Sequence, residues 1–251
     1  MTEKSAGEET FISHLIELRD RLVKASIGIA LVFGVLAMWP GPAAIYDIIA
    51  APMIAALPVG SKMIATGVIS PFLVPMKVTL LLAFMLALPW VFYQVWAFIA
   101  PGLYAHEKKL VLPLVISSSL LFVGGVAFCY FFVFGRVFAF ISGFSPESIA
   151  VTPDIENYLD FVMSMCLAFG VTFEVPVVVV ILVRMGIVSV AKLKEIRSYV
   201  IVGAFVIAAI VTPPDVVSQL ALAIPMCLLY ELGLLLAPVF VRATQAPEEP
   251  V

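Results

Sequence analysis

Residues Val111 to Phe134 read VLPLVISSSLLFVGGVAFCYFFVF, an apolar run without a charge and without alternation of polar and apolar positions. A helix needs roughly 20 such residues to cross a hydrocarbon core of about 30 Å, whereas a strand of a membrane barrel shows about ten alternating ones. With no water to bond the backbone, a continuous run of this kind satisfies its own N–H and C=O groups only as a helix. The rest of the chain has the same character. Of its 251 residues 63% are hydrophobic and 12% charged, with a mean hydropathy of +1.15, against roughly 45–50% and 25% in a soluble domain. The fold class expected is an all-α integral membrane protein.

Apolar runs between breakers predict six transmembrane helices, near Val23–Trp39, Phe72–Ala100, Leu110–Ile141, Tyr158–Met185, Arg197–Val211 and Val216–Leu236. ALAMWPGPAA, after the first run, has the small residues of a cleavage site. More than twenty mostly polar residues, Glu3, Glu8 and Glu9 among them, precede that run and make a poor basic leader, so the first span is expected to stay. Lys4, Arg19, Arg21, Lys24, Lys108, Lys109, Arg184, Lys192, Lys194, Arg197 and Arg242 fall on one side of this arrangement, with only Lys62, Lys77 and Arg136 near the other. The positive-inside rule then puts both termini in the cytoplasm. Residues 1–22 form an amphipathic lead-in, 23–236 the six-span core and 237–251 a short cytoplasmic tail, all in one transmembrane domain.

Details refine the spans. The loop from Pro40 to Pro71 is Pro-rich yet apolar, IYDIIAAPMIAAL, and predicts an interfacial helix in the first extracytoplasmic loop. The fifth and sixth spans are expected to be short; at 1.5 Å per residue the fifth reaches only about 22 Å. In TPPD, Pro213 and Pro214 end one helix and Asp215 caps the next. Cys129, Cys166 and Cys227 lie in apolar runs and read as small hydrophobes.

Candidate functional residues are few. Phe11, Leu15, Leu18 and Leu22 form one helical stripe, with His14, Glu17, Asp20 and Arg21 on the other face. Glu17 and Arg21, four apart, suit a surface ion pair worth about 0.3–0.5 kcal/mol, or a binding site. PGLYAHEKK presents His106, Glu107, Lys108 and Lys109, with Trp96 and Tyr104 as members of an aromatic belt. Glu174 lies inside the fourth apolar run, where a carboxylate at mid-bilayer costs about 2.5–3.5 kcal/mol. Pro176 removes an N–H and should leave the carbonyl of Thr172 without its helical donor, kinking the fourth span. A protonated Glu174 donating to that carbonyl is one outcome; the other is that it faces a cavity or a polar partner. Glu231, nearer a helix end, can snorkel.

Enzyme chemistry finds little to work with. The only histidines are His14 and His106, and no HExxH, GxSxG or phosphate-binding glycine loop occurs. No cofactor, metal or nucleic-acid site is indicated, and the net charge of −3 gives no reason to seek one. A small proton-coupled secondary transporter using Glu174 is the competing class. It predicts paired broken helices in repeats, and the breakers at Pro89, Pro113, Pro176 and Pro225 come with no second TFEVP.

HLIELRDRL, SPF at Ser70–Phe72, YQVWAFIAPGLY with HEKK, AFGVTFEVP and VTPPDVVSQ occur in that order across nearly the whole of Phe11–Leu236. Together they resemble the TatC family, the multi-spanning receptor subunit of the twin-arginine protein translocase. The resemblance implies a bacterial cytoplasmic (inner) membrane protein that binds signal peptides bearing adjacent arginines. It implies assembly with single-span TatA- and TatB-like subunits and with other copies of itself, and export of folded cargo driven by proton-motive force. Glu17 and Glu107 then form the recognition site, with Arg19 and Phe98 at other important positions. Two acids each gripping a guanidinium fork fit this chemistry, and lysine would be the poorer ligand. Glu174, with Thr172 and Pro176, would meet a polar group on a partner's helix, and Thr212–Asp215 match the family's tight extracytoplasmic hairpin. The segment after Pro238, with APEEP and little charge, departs from the family pattern and puts tail-dependent contacts in question.

Overall fold

The computed structural model describes residues 2–56, 63–99, 111–143, 152–212 and 215–242. Glu107, Pro213 and Pro214 fall outside them. Eleven helices occur in the described residues: α1 (Thr2–Met38), α2 (Pro42–Ala56), α3 (Ser70–Leu86), α4 (Leu88–Ile99), α5 (Val111–Phe128), α6 (Phe134–Gly143), α7 (Ile155–Phe173), α8 (Val175–Arg184), α9 (Val190–Glu195), α10 (Arg197–Val211) and α11 (Val216–Arg242). A π-helical turn, Cys129–Val133, joins α5 to α6. No strand is present among these residues, only an isolated bridge between Ile64 and Asp154.

Four stretches are long and apolar enough to cross a membrane: Ile12–Met38, Val111–Phe140, Ile155–Arg184 and Val216–Val239. The stretch expected as a single second span is instead a bent pair, α3 and α4, meeting at 56°. Pro89 lacks the N–H that would bond the carbonyl of Met85, the ordinary cause of such a kink. The sixth span is not short: α11 runs 27 residues with Pro225 and Pro238 inside it, because a proline in an apolar helix bends it without ending it when neighbours re-satisfy the freed backbone. α10 is short as expected, at 15 residues.

The chain packs as two compact units, residues 1–46 with 75–119, and 47–74 with 120–251. In the first, α1 packs on α4, and the indole N–H of Trp96 donates to Ser118 Oγ at 3.3 Å in a buried position. Trp96, 7% exposed, is therefore a core residue and not part of an aromatic belt.

In the second unit, glycines let helices approach closely. A Cβ on Gly125 of α5 would lie 2.5 Å from the carbonyl oxygen of Phe169 on α7, and one on Gly170 of α7 would lie 2.4 Å from the ring of Phe122 on α5. Each helix thus presents a notch to the other, the small-residue packing typical of membrane helices. Gly233 of α11 does the same against Val179 and Pro176 of α8. Val179, Leu193, Tyr230, Leu234 and Ala237 form a buried cluster nearby, and Tyr230 donates its hydroxyl to Leu193 O at 2.8 Å.

Two further connections tie loops to helices. Pro52 has no N–H for the carbonyl of Ile48 in α2; the Tyr130 hydroxyl, on the π-turn, donates to that oxygen at 2.7 Å. Tyr158 of α7 donates to the next carbonyl, Ile49 O, at 3.1 Å. Beside them Ile64 N–H donates to Pro153 O at 3.0 Å and Ile155 N–H to Ile64 O at 2.8 Å. Asp154 caps α7 by accepting from Glu156 N–H and Asn157 N–H and also takes the Thr66 hydroxyl at 2.7 Å and N–H at 3.0 Å. Ser70 donates to Glu156 Oε2 at 2.7 Å.

These contacts have measurable consequences. Tyr130→Phe leaves the Ile48 carbonyl without that donor and is expected to lower stability by about 0.5–1.5 kcal/mol, read as a lower thermal midpoint in detergent. The Thr66 hydroxyl, then the backbone donors, hold the Asp154 carboxyl down from 3.8 to about 2. A carboxyl depressed on folding stabilises above its unfolded value and loses that contribution as pH falls through the folded one. The midpoint difference between the protein and Asp154→Asn should therefore be full at neutral pH and shrink between about pH 4 and pH 2.

Candidate functional site

Two regions carry the sequence-predicted residues, one in each unit. The first lies on α1. From Glu17 onward, the partly covered residues of this helix are Glu17, Arg21, Ala25, Gly28, Ile29, Val32, Phe33, Leu36 and Ala37, with the rest exposed. Their spacing of three and four marks a single stripe. The covered side is the polar one: Leu15, Leu18 and Leu22 are 49%, 37% and 58% exposed, while the Glu17 and Arg21 side chains are 35% and 24% exposed.

Arg21 reaches back one turn, and both its Nε at 2.9 Å and its Nη2 at 2.7 Å donate to Glu17 Oε1. Arg19 is paired with its neighbour Asp20 at 2.7 Å and largely exposed, flanking an apolar groove that runs along Leu15, Leu18, Leu22 and Ile27. His14 and Phe98 bring their rings to 5.5 Å, so Phe98, at the end of α4, stands beside the helix that carries Glu17.

The second region is the break between α7 and α8. Glu174 holds the junction with φ −76° and ψ −14°, and its N–H is shared between the carbonyls of Val171 and Thr172. Of the two outcomes open for Glu174, donation to Thr172 O or a cavity and polar partner, the backbone bears on the first: the Glu174 N–H itself reaches Thr172 O, because the chain tightens by one hydrogen-bond step where Pro176 interrupts the ladder. Glu174 is 9% exposed and Thr172 1% exposed. Next to the junction, Ser164, Val171, Thr172, Val175, Ile207 and Met226 line a groove of about 570 Å³.

At the α10–α11 turn, Asp215 caps α11 by accepting from Ser218 N–H at 2.7 Å. Thr212 donates to Ala208 O at 2.8 Å, and Gln219 Nε2 of α11 donates to Phe205 O of α10 at 3.3 Å. Glu231, expected to snorkel, pairs with Arg197 at 2.7 Å, half-exposed. Among the described residues no group of three or more His, Cys, Asp and Glu side chains is gathered to hold a metal. The Trp96–Ser118 pair escaped the sequence reading, since a tryptophan near a span end looks like a belt residue whichever way its N–H points; Trp90, well inside the second apolar run, carried no signal of its own.

The family profile of the Sec-independent protein translocase protein (TatC) matches residues 13–225. The chain belongs to the TatC family. It is 49% identical over 229 residues to the TatC protein of Haemophilus influenzae, covering 91% of this chain and 89% of that one. The Escherichia coli K12 protein is also 49% identical, over 241 residues and 96% and 93% of the two chains. A crystal structure titled twin arginine translocase receptor TatC superposes with a TM-score of 0.78 at 36% identity, covering 90% of this chain and 98% of that one. This TatC chain is thus a multi-pass membrane protein of protein transport, a component of the twin-arginine translocase. Such a component works within a complex, and the bent α3–α4 pair and the Glu174 junction are parts of its all-helical frame.

Proposed function

We propose that this chain is the signal-recognising subunit of a twin-arginine translocase in the cytoplasmic membrane of a bacterium, with six spans and both termini in the cytoplasm. On this reading α3 and α4 together make the second span, α10 the short fifth, and residues 23–236 one six-span core. Glu17 and Glu107 take the two arginines of the signal peptide, with Arg19 and Phe98 around them. The observation that carries the reading is the state of Glu17. It is a half-buried carboxylate that already accepts a guanidinium fork from Arg21, on the helix whose His14 meets Phe98. A planar, permanently charged guanidinium suits such an acceptor better than an ammonium. Binding of a twin-arginine peptide to the purified protein should fall at least about tenfold in Glu17→Gln and in Glu107→Gln, the scale of one charge-assisted hydrogen bond. Unchanged affinity in both variants would sink the assignment.

Glu174, with Thr172 and Pro176, serves assembly with single-span TatA- and TatB-like partners. A groove beside a membrane-depth acid suits the polar group of a partner helix. Proton-motive force drives the later translocation step, and Pro213, Pro214 and Asp215 form the extracytoplasmic hairpin. In Glu174→Ala, crosslinking to partner helices should drop while peptide binding persists; the reverse pattern would reassign the residue.

A further inference from the structure

α1 carries Glu17, yet none of its residues from Ile12 to Met38 is fully buried. A helix so lightly held needs something to fix its rotation. Among the described residues, the contact of α1 with Trp90 is able to do so. Gly28 opens a notch in the covered stripe, and the Trp90 indole of α4 fills it: a Cβ on Gly28 would lie 2.4 Å from Trp90 Cδ1 and 2.8 Å from Nε1. From that notch the indole N–H donates to the carbonyl of Lys24, one turn earlier on α1, at 2.9 Å. Shape in the notch resists rotation, and the hydrogen bond resists sliding along the axis.

The helical period ties this contact to the acid. Eleven residues separate Glu17 from Gly28, which is three turns plus about 20°, over a rise of about 16 Å. The carboxylate and the notch thus share one face, and any turn of α1 at Gly28 swings Glu17 by the same angle. Phe98 lies two turns beyond Trp90 on α4, where it meets His14 of α1.

We propose that Trp90 is a positioning residue for signal-peptide recognition: seated on Gly28 and bonded to Lys24, it sets the rotation of α1 and so aims Glu17. The proposal rests on the reading of Glu17 as an arginine-binding acid. Trp90→Phe keeps a ring and removes the N–H; Gly28→Ala keeps the N–H and displaces the ring.

The test measures affinity for a twin-arginine peptide in the purified full chain, with thermal midpoints recorded for each variant. Trp90→Phe and Gly28→Ala should each weaken binding by about two- to tenfold, the worth of one hydrogen bond. Gly28→Ala with Trp90→Leu, which relieves the clash, should recover part of the loss. In a Glu17→Gln background the Trp90→Phe loss should vanish, since there is no acid left to aim. Wild-type affinity in both single variants, with Glu17→Gln impaired, overturns the positioning role and leaves the Glu17 reading standing. An equal loss with and without Glu17 also overturns it, because it marks a general packing defect. Unchanged binding in Glu17→Gln itself overturns both.

Discussion

A backbone that crosses lipid has no water to turn to, and every carbonyl or N–H released from a helix must find a partner within the protein. Much of this structure follows from that constraint. Pro52 frees a carbonyl in α2, and a tyrosine hydroxyl arrives from the π-turn to take it. Pro176 frees a carbonyl at the α7–α8 junction, and the Glu174 N–H divides itself to reach it. Thr79, Ser119 and Thr212 each turn a hydroxyl back onto the carbonyl four residues earlier. In these three no proline has freed the carbonyl, and it is the hydroxyl that gains a partner. The proline breaks put bends where straight helices would leave no concavity, the Glu174 junction with its neighbouring groove foremost.

The second organising feature is the scarcity of a hydrophobic drive between helices, since lipid tails welcome leucine as readily as protein does. Close approach then depends on shape. Gly125 and Gly170 admit α5 and α7 to each other, Gly233 admits α11 to α8, and Gly28 admits Trp90 to α1. A methyl group at any of these positions meets atoms already in place.

The sequence announced the helical class through the unbroken apolar runs, the family through five blocks in order, and the break at Glu174 through Pro176. It was silent on contacts between distant segments. The Leu15, Leu18 and Leu22 stripe was legible as amphipathic, but which face would be covered was not, because that is set by α4, which packs on α1 from far along the chain. The α3–α4 bend was signalled by Pro89, a breaker that a span drawn from hydropathy alone runs through. The length of α11 was underestimated at its C-terminal end, where the helix runs through Pro238 to Arg242. Of the candidate site, Glu174 was visible as an acid inside an apolar run, while Glu17 read as an ordinary surface pair with Arg21 until the family resemblance singled it out. Trp90 was not visible, because its role depends on a carbonyl 66 residues away.

The clasp around Asp154 bears on how such a chain is made. Thr66 and Asp154 are 88 residues apart, so at a synthesis rate of about 5–20 residues per second the earlier segment waits roughly 4 to 18 seconds for its partner to leave the ribosome. Throughout that interval the segment around Thr66 has been produced without the carboxylate that will organise it, and the helical sequence between them, α3 to α6, is made before the two can meet. The clasp is therefore a contact that only a chain already grown past Asp154 can close.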